Sequence, residues 1–301
     1  IVFWPLVPAL GVFLPKSDLL YPLLAMTAAW LWRRAWLRGE WISAGGAGLV
    51  LGCGLLLSLA FLPIAALLAI QSLFDGLAWP AARKGDRPAW TRTGQIRLRS
   101  AQIVTGAGGL LVVILIAAGW GLNLPRVWAW NFSNHALFYE HNHRTWWAWL
   151  LVNPVELCMA VGAPVIAASL TAAWGWLVTA AGQSLRRSAV PAFAIVWCLL
   201  WLSGKNIGEA ARLWIILLPW VVAATEPLWG DQKPGTVAPD LSIPTPTPEI
   251  GTTPGAGRWA WVLLLVFQTI VAAGTVLRVD GFHFTELTRQ ALFEALWKQR
   301  T

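Results

Sequence analysis

The sequence predicts an all-α protein, a polytopic bundle of transmembrane helices with about nine membrane segments plus interfacial helices. Hydrophobic residues make up 57% of the chain and charged residues only 12%, whereas soluble domains carry roughly 25% charged residues. Long apolar runs such as 103–122 and 259–277 also recur along the chain. About 20 apolar residues are enough for a helix to cross the hydrocarbon core of a bilayer, so each run is a candidate span.

Loop charges predict how these spans are arranged. Three loops are rich in arginine and lysine, and the positive-inside rule assigns all three to the cytoplasmic side. The run 43–79 starts and ends at such loops, so we expect it to cross twice and to turn near Pro63. The formal net charge of +8 then reflects these loops rather than nucleic-acid binding. The predicted segments are 1–14, 19–37, 43–60, 61–79, 103–122, 160–182, 190–203, 211–228 and 258–277, and the basic loops contain Arg33, Arg34 and Arg38, then Arg83, Lys84, Arg87, Arg92, Arg97 and Arg99, then Arg186 and Arg187.

Composition divides the chain into three parts. Residues 1–228 are expected to form a transmembrane helical domain with an external loop at 123–159. The Pro/Thr-rich stretch 229–257 is predicted to be a flexible cytoplasmic linker. Residues 258–301 are predicted to form the last transmembrane helix and an external amphipathic tail. The chain opens at Ile1 in an apolar run without a basic n-region, so we expect an N-terminal part of a longer protein to precede it.

Polar residues concentrate at 131–144 (NFSNHALFYEHNHR), which includes three of the chain's 4 histidines. Three interpretations stay open. The stretch is a solvated loop, or it binds an anionic substrate and performs acid–base chemistry, since histidine titrates near neutral pH. The third is a metal site, and a divalent metal is the one cofactor that the pattern leaves open. The candidate residues are His135, Glu140, His141, His143 and Arg144.

The segment that begins at Trp146 is too long for one crossing if it continues to Gly182. We therefore predict an interfacial helix at 145–159, a break at the Gly-Ala-Pro of 162–164, and then a membrane helix. Asn153 and Glu156 are three residues apart and share one helix face. A carboxylate among apolar residues is costly unless it is paired or faces water. The two residues form either a structural polar contact or a substrate site.

Three charged side chains interrupt the apolar run at 203–219. If 205–218 is helical, Lys205, Glu209 and Arg212 lie on one face, because successive residues turn by about 100°. Glu209 can then pair with either cation. Snorkelling to the interface explains the lysine and the arginine but not the carboxylate. Ionisable residues at a membrane boundary tend to mark substrate paths, so we predict that this face, with the neighbouring Asn206, binds substrate.

Three stretches resemble multi-spanning membrane glycosyltransferases of the C type (the GT-C superfamily). They are GKNIGEAARLWIILLP at 204–219, RTWWAWLLVNPVEL with the following GAP at 144–164, and PKSDLLYP at 15–22. The resemblance implies an enzyme that moves a sugar from a polyprenyl-phosphate donor to an acceptor on the external or lumenal face. It implies that Arg212 and Lys205 counter the donor phosphate, that Glu209 orients the arginine, and that 131–144 closes over the acceptor.

The catalytic base of that family is an acid in the first external loop. Asp18 is a single acid in a short turn and does not match that position, so the resemblance implies that the base lies upstream of Ile1. The expected partners are a lipid-linked sugar donor and membrane lipids, and the expected location is a bacterial inner membrane with the site facing the periplasm.

Three alternative functions remain open from the sequence. An enzyme that resembles O-antigen ligases or polymerases uses a similar lipid-linked substrate and needs no acid in the first loop. A transporter would line its path with Glu209 and Arg212, and it would need broken helices. A non-catalytic assembly subunit would need none of the external polar residues.

Overall fold

The computed structural model describes residues 3–13, 17–78, 92–141, 145–178, 186–204, 210–225 and 256–278, and within these ranges the chain is helical and contains no strand. The all-α prediction is therefore confirmed. Short 3₁₀ turns lie at Trp4–Leu6, Ser17–Leu20 and Ile215–Leu217. The α-helices are α1 (Pro8–Val12), α2 (Tyr21–Arg38), α3 (Trp41–Leu57), α4 (Phe61–Ala78), α5 (Arg92–Gly119), α6 (Leu124–His141), α7 (Trp146–Val161), α8 (Ala163–Val178), α9 (Arg186–Ser203), α10 (Ala210–Leu213), α11 (Leu218–Ala224) and α12 (Ala256–Arg278).

Helices α3 and α4 form the hairpin that the sequence predicts for 43–79. Helix α3 ends at Leu57, Ser58 is extended with φ −161° and ψ 139°, and α4 begins at Phe61. The Ser58 hydroxyl accepts the backbone N–H of Ala60 at 3.2 Å, which satisfies a donor inside the turn. Pro63 lies in the first turn of α4, where a backbone N–H would have no carbonyl acceptor within the helix, so proline costs no hydrogen bond there. The chain thus turns a few residues before the predicted position.

Arginine side chains tie several helix ends together at one end of the bundle, which we call the basic end. Arg33 near the end of α2 pairs with Asp75 near the end of α4. Arg99 near the start of α5 donates to the carbonyl oxygen of Trp36 in α2 at 2.6 Å, and its guanidinium lies 3.9 Å from the centre of the Trp36 ring. The arginines of the first two predicted cytoplasmic loops therefore meet at the same end.

Glu40, between α2 and α3, supplies a counter-charge at the basic end. Arg34 Nε donates to Glu40 Oε2 at 2.6 Å and the Ser43 hydroxyl donates to the same oxygen at 2.8 Å. These hydrogen bonds, that from Arg34 first, hold the pKa of the Glu40 carboxyl below its usual value. Glu40 consequently stays ionised at neutral pH, and the arginines beside it stay paired.

Helices α3 and α5 pack through a seam of glycines. A Cβ placed on Gly48 would overlap the carbonyl oxygen of Gly106, and a Cβ placed on Gly109 would overlap the carbonyl oxygen of Gly45. Small residues that let backbones approach are typical of helix association in membranes, where lipid gives no hydrophobic drive for helices to pair. The sequence interpretation missed this seam, although the GxxxG spacing of Gly48 and Gly52 is a signal for it.

Helices α7 and α8 meet at a sharp break at Gly162. The direction of the chain changes by 108° between them. Gly162 adopts φ +96°, a conformation that residues with a Cβ rarely reach. A Cβ there would also overlap the side-chain amide of Gln268. The predicted break at 162–164 is confirmed.

Gln268 of α12 holds this break in place. Its Nε2 donates to the carbonyl oxygens of Val161 at 2.8 Å and of Leu6 at 2.9 Å, and the side chain is completely buried. One amide thus joins the N-terminal segment, the end of α7 and α12.

We expect Gln268→Met to lower the free energy of unfolding by about 1–3 kcal/mol, because it removes the donor from one buried and one partly buried carbonyl group. The adjacent Phe267 is 57% exposed, so Phe267→Leu is a matched control and should change stability by no more than about 0.5 kcal/mol. Thermal unfolding of the detergent-purified chain measures both variants. Equal midpoints would contradict the role given to Gln268.

Two predicted membrane segments are not single α-helices. In the described part of 1–14, a 3₁₀ turn and α1 are separated by Val7, which is extended (ψ 115°) because it precedes Pro8. In the described part of 211–228, α10 gives way to a 3₁₀ turn before α11. Pro219 has no N–H for the carbonyl of residue 215, so a continuous α-helix would lack that bond.

Large apolar side chains cover much of the outside of the bundle. Leu73, Leu115 and Leu263 are 65%, 59% and 66% exposed, whereas Ala25 and Ala28 of α2 are fully buried. Within the described ranges, the segment Ile96–Gly119 of α5 is by itself long and apolar enough to span a membrane. Helices α7 and α8 reach that length and hydrophobicity only when they are taken together as one bent span. The number of spans stays a prediction.

Candidate functional site

A cleft lies between α4, α6, α9 and residues 213–217, at the end of the bundle opposite the basic end. The α3–α4 turn and Ser203, the last residue of α9, border it, which fixes its position at that end. Its volume is about 560 Å³, within the range of small-molecule sites. Apolar side chains dominate its lining. Two of them, Leu62 and Leu199, are 42% and 62% exposed, so the cleft reaches the outer surface of the bundle.

Residues 213–217 form the inner wall of this cleft. Together with Leu218, this wall contributes to two separate hydrophobic cores. Ile215 and Leu218 pack with α1, α7 and α8, while Ile216 and Leu217 pack with α2, α4 and α9. Trp214 is buried and meets the Trp197 ring edge-to-face, with 5.8 Å between the ring centres. Because both cores hold this wall, side chains at its ends are positioned by a rigid support.

Arg212 immediately precedes the wall and pairs with Asp18. The distance between Arg212 Nε and Asp18 Oδ2 is 3.3 Å, and the two side chains are 29% and 22% exposed. The turn Ser17–Leu20 packs against the turn Ile215–Leu217, which brings the acid to the arginine. The sequence interpretation gave Asp18 little weight and considered only Glu209 as a partner of Arg212. The contact depends on residues nearly 200 positions apart, which no local pattern reveals.

Helix α7, which carries Asn153 and Glu156, packs against α10. Glu156 Oε2 accepts the backbone N–H of Ala210 at 3.0 Å, two residues before Arg212. The structural polar contact that the sequence left open for Glu156 is therefore present. Asn153 is 2% exposed, and its Oδ1 has no hydrogen-bond partner in the part of the chain that the structure describes. An unsatisfied buried acceptor costs about 1–3 kcal/mol, so Asn153 remains a candidate to bind a ligand.

The other candidates are only partly described. In the described portion of 205–218, the chain forms α10 and a 3₁₀ turn rather than one regular helix. Of the three charged residues predicted to share a helix face, Arg212 alone lies in this described portion, so the shared face stays a prediction. Glu140 is exposed near the end of α6. The candidates that lie outside the described residues are Lys205, Asn206, Glu209, His143 and Arg144, together with the side chains of His135 and His141.

The interpretation of 131–144 as a loop is wrong for residues 131–141, which belong to α6. Asn123 caps this helix, because its Oδ1 accepts the backbone N–H of Arg126 at 3.1 Å. Pro125 occupies the first turn, a position that favours helix initiation. The four residues NLPR at 123–126 were therefore a sufficient signal for the helix.

Metal binding has no support among the described side chains, in which no three His, Cys, Asp or Glu residues come together. The candidate metal ligands are His135, Glu140, His141 and His143. The side chains of the three histidines lie outside the described set, so the metal site stays a prediction.

Comparisons of the chain with protein-family models, with curated proteins and with solved structures found no match.

Proposed function

We propose that this chain belongs to an integral-membrane glycosyltransferase that moves a sugar from a polyprenyl-phosphate donor to an acceptor on the external face of a bacterial inner membrane. One observation carries the proposal: a partly buried Arg212, paired with Asp18, immediately precedes Leu213 and Trp214, which line an apolar cleft of about 560 Å³. An amphiphile with a phosphate and a long hydrocarbon chain fits that combination of groups.

Placement in a membrane, with about nine spanning segments, has two supports. The outside of the bundle carries many large exposed apolar side chains, such as Leu115 and Leu263, and soluble monomers rarely expose large contiguous apolar patches. The α3–α5 seam is built from glycines, as in membrane helix pairs.

The arginines support the orientation. Arg33 and Arg99 lie at the basic end, which the positive-inside rule assigns to the cytoplasm. The cleft lies at the opposite end and therefore faces the periplasm in this proposal. Donor phosphates on that side would sit at the membrane surface, at the level of Arg212.

The chemistry divides between the two parts of the site. Arg212 would donate hydrogen bonds to the phosphate oxygens, in a geometry that a planar guanidinium matches well. The cleft would hold the apolar chain next to the phosphate. In the transfer step, an acceptor hydroxyl oxygen attacks the anomeric carbon, the bond from that carbon to the phosphate oxygen breaks, and a carboxylate takes the hydroxyl proton.

Filling the cleft tests the proposal. Ala66 lines it and is exposed, whereas Ala69 in the same helix is exposed but does not line it. We expect Ala66→Phe to reduce photo-crosslinking by a diazirine-bearing polyprenyl-phosphate hexose by about tenfold, because the ring occupies the space of the chain. Ala69→Phe should crosslink as the parent does. Equal crosslinking of the two variants would overturn the assignment of the cleft.

A transporter is the second candidate, and the broken helices favour it. The chain breaks at Gly162 between α7 and α8 and again at 214–217 between α10 and α11, and transporters bind their substrates at such interruptions. Proteoliposomes separate the two candidates. Sugar transfer to an acceptor without net flux supports the transferase, whereas counterflow of a polar solute without product supports transport.

A further inference from the structure

Helix α6 stands away from the rest of the bundle along most of its length. Nearly all of its described side chains are exposed. Its described contacts with the bundle include the buried Leu124 at its start and the Trp128 indole, which donates to the carbonyl oxygen of Leu55 at 3.2 Å. Asn131 and Phe132 line the cleft. Helix α6 thus forms a wall of the cleft on one side, and most of its other described side chains are exposed.

Its remaining surface is divided into two stripes. With a turn of about 100° per residue, Val127, Trp130 and Leu137 fall within an arc of about 80° and form an apolar stripe, which the exposed Asn134 interrupts. All three are exposed, by 46%, 62% and 49%. Arg126, Ser133 and Glu140 fall within an arc of about 40° beside it and form an exposed polar stripe.

Exposed apolar side chains also occupy the connection between α5 and α6. Trp120 and Leu122, in the connection between the helices, are 84% and 46% exposed. The Arg126 guanidinium lies 5.2 Å from the centre of the Trp130 ring, at the border between the two stripes. Tryptophan and arginine at the boundary between an apolar and a polar surface are typical of helices that lie at a membrane–water interface.

We propose that α6 lies on the external surface of the bilayer, with the Val127–Trp130–Leu137 stripe inserted among the lipids and the Arg126–Ser133–Glu140 stripe in water. The inference rests on the membrane placement in the proposed function. Asn131 and Phe132 of the same helix line the cleft. A helix α6 that lies at the membrane surface therefore places the cleft at the depth of the lipid headgroups. A lipid-linked phosphate would reach that depth without leaving the bilayer.

Site-directed spin labelling of the full chain in vesicles of phosphatidylethanolamine and phosphatidylglycerol tests this placement. In a background with Cys53, Cys158 and Cys198 replaced by alanine, a nitroxide is attached at Trp130→Cys and at Ser133→Cys, one in each stripe. We expect the ratio of oxygen to nickel-chelate collision rates to be roughly threefold higher at 130 than at 133, as for a helix immersed on one face only. Leu115→Cys in α5, 59% exposed, is the reference.

The outcomes separate the two proposals. A high ratio at 130 and 115 with a low ratio at 133 supports the surface placement of α6. Low ratios at both 130 and 133 with a high ratio at 115 would overturn it, because α6 would then stand in water beside a membrane-embedded bundle. Equal, high ratios at 130 and 133 would also overturn it, since the whole helix would lie in lipid. A low ratio at 115 would instead overturn the membrane placement of the bundle itself.

Discussion

Gly109→Ala is expected to lower the free energy of unfolding by about 1–3 kcal/mol relative to Gly108→Ala. The added Cβ at Gly109 would overlap the carbonyl oxygen of Gly45 and would lie 2.9 Å from the backbone nitrogen of Leu49. Backbone atoms of α3 cannot move aside as a flexible side chain can, so the two helices must separate. The close approach along the α3–α5 seam would then be lost over several turns.

Gly108 is a closely matched control for this substitution. It is the preceding residue of the same helix, and nothing lies within 4 Å of a Cβ built on it. Alanine is favoured over glycine in a helix by about 1 kcal/mol at either position, so the gain in propensity cancels in the comparison. Thermal or denaturant unfolding in detergent gives the difference. If both variants are equally stable, the seam is not held by backbone approach.

Local sequence signals account for most of the helices and for the main break. The apolar runs predict the hairpin of α3 and α4, and the Gly-Ala-Pro at 162–164 predicts the bend between α7 and α8, because each signal acts through nearby residues. Local signals also explain the main error. The many polar side chains of 131–144 suggested a loop. The helix-start signal lies upstream of them, in the cap at Asn123 and the proline at 125, and it was overlooked.

Long-range contacts explain what the sequence could not reveal. Arg212 was a candidate from its position at the edge of an apolar run, but its pairing with Asp18 requires two 3₁₀ turns from distant parts of the chain to pack together. The cleft has the same origin, because α4, α6 and α9 each contribute side chains that look like ordinary lipid-facing or core residues in the sequence. Gln268 likewise bonds to two carbonyl groups in other segments.

Arg212→Gln is expected to reduce donor use by about 100-fold, the effect of losing one or two charge-assisted hydrogen bonds to a phosphate. Arg212→Lys should lose roughly tenfold, because lysine keeps the charge but not the planar fork. Arg97, exposed at the basic end, is the control, and Arg97→Gln should act as the parent does. The measurement is sugar transfer from a polyprenyl-phosphate hexose by the full-length protein, as kcat/KM for the donor.

Exchanging the two charges separates a structural role of Arg212 from phosphate binding. Each single variant, Asp18→Arg or Arg212→Asp, places like charges at the 3.3 Å contact and should destabilise the chain. The double variant restores an ion pair between partly buried side chains, so its unfolding midpoint should return towards that of the parent. It also puts a carboxylate where the phosphate is expected, and repulsion should keep donor use at the level of Arg212→Gln. A double variant that recovers both stability and donor use would show that Arg212 serves only to hold the turn at Asp18 against the wall of the cleft.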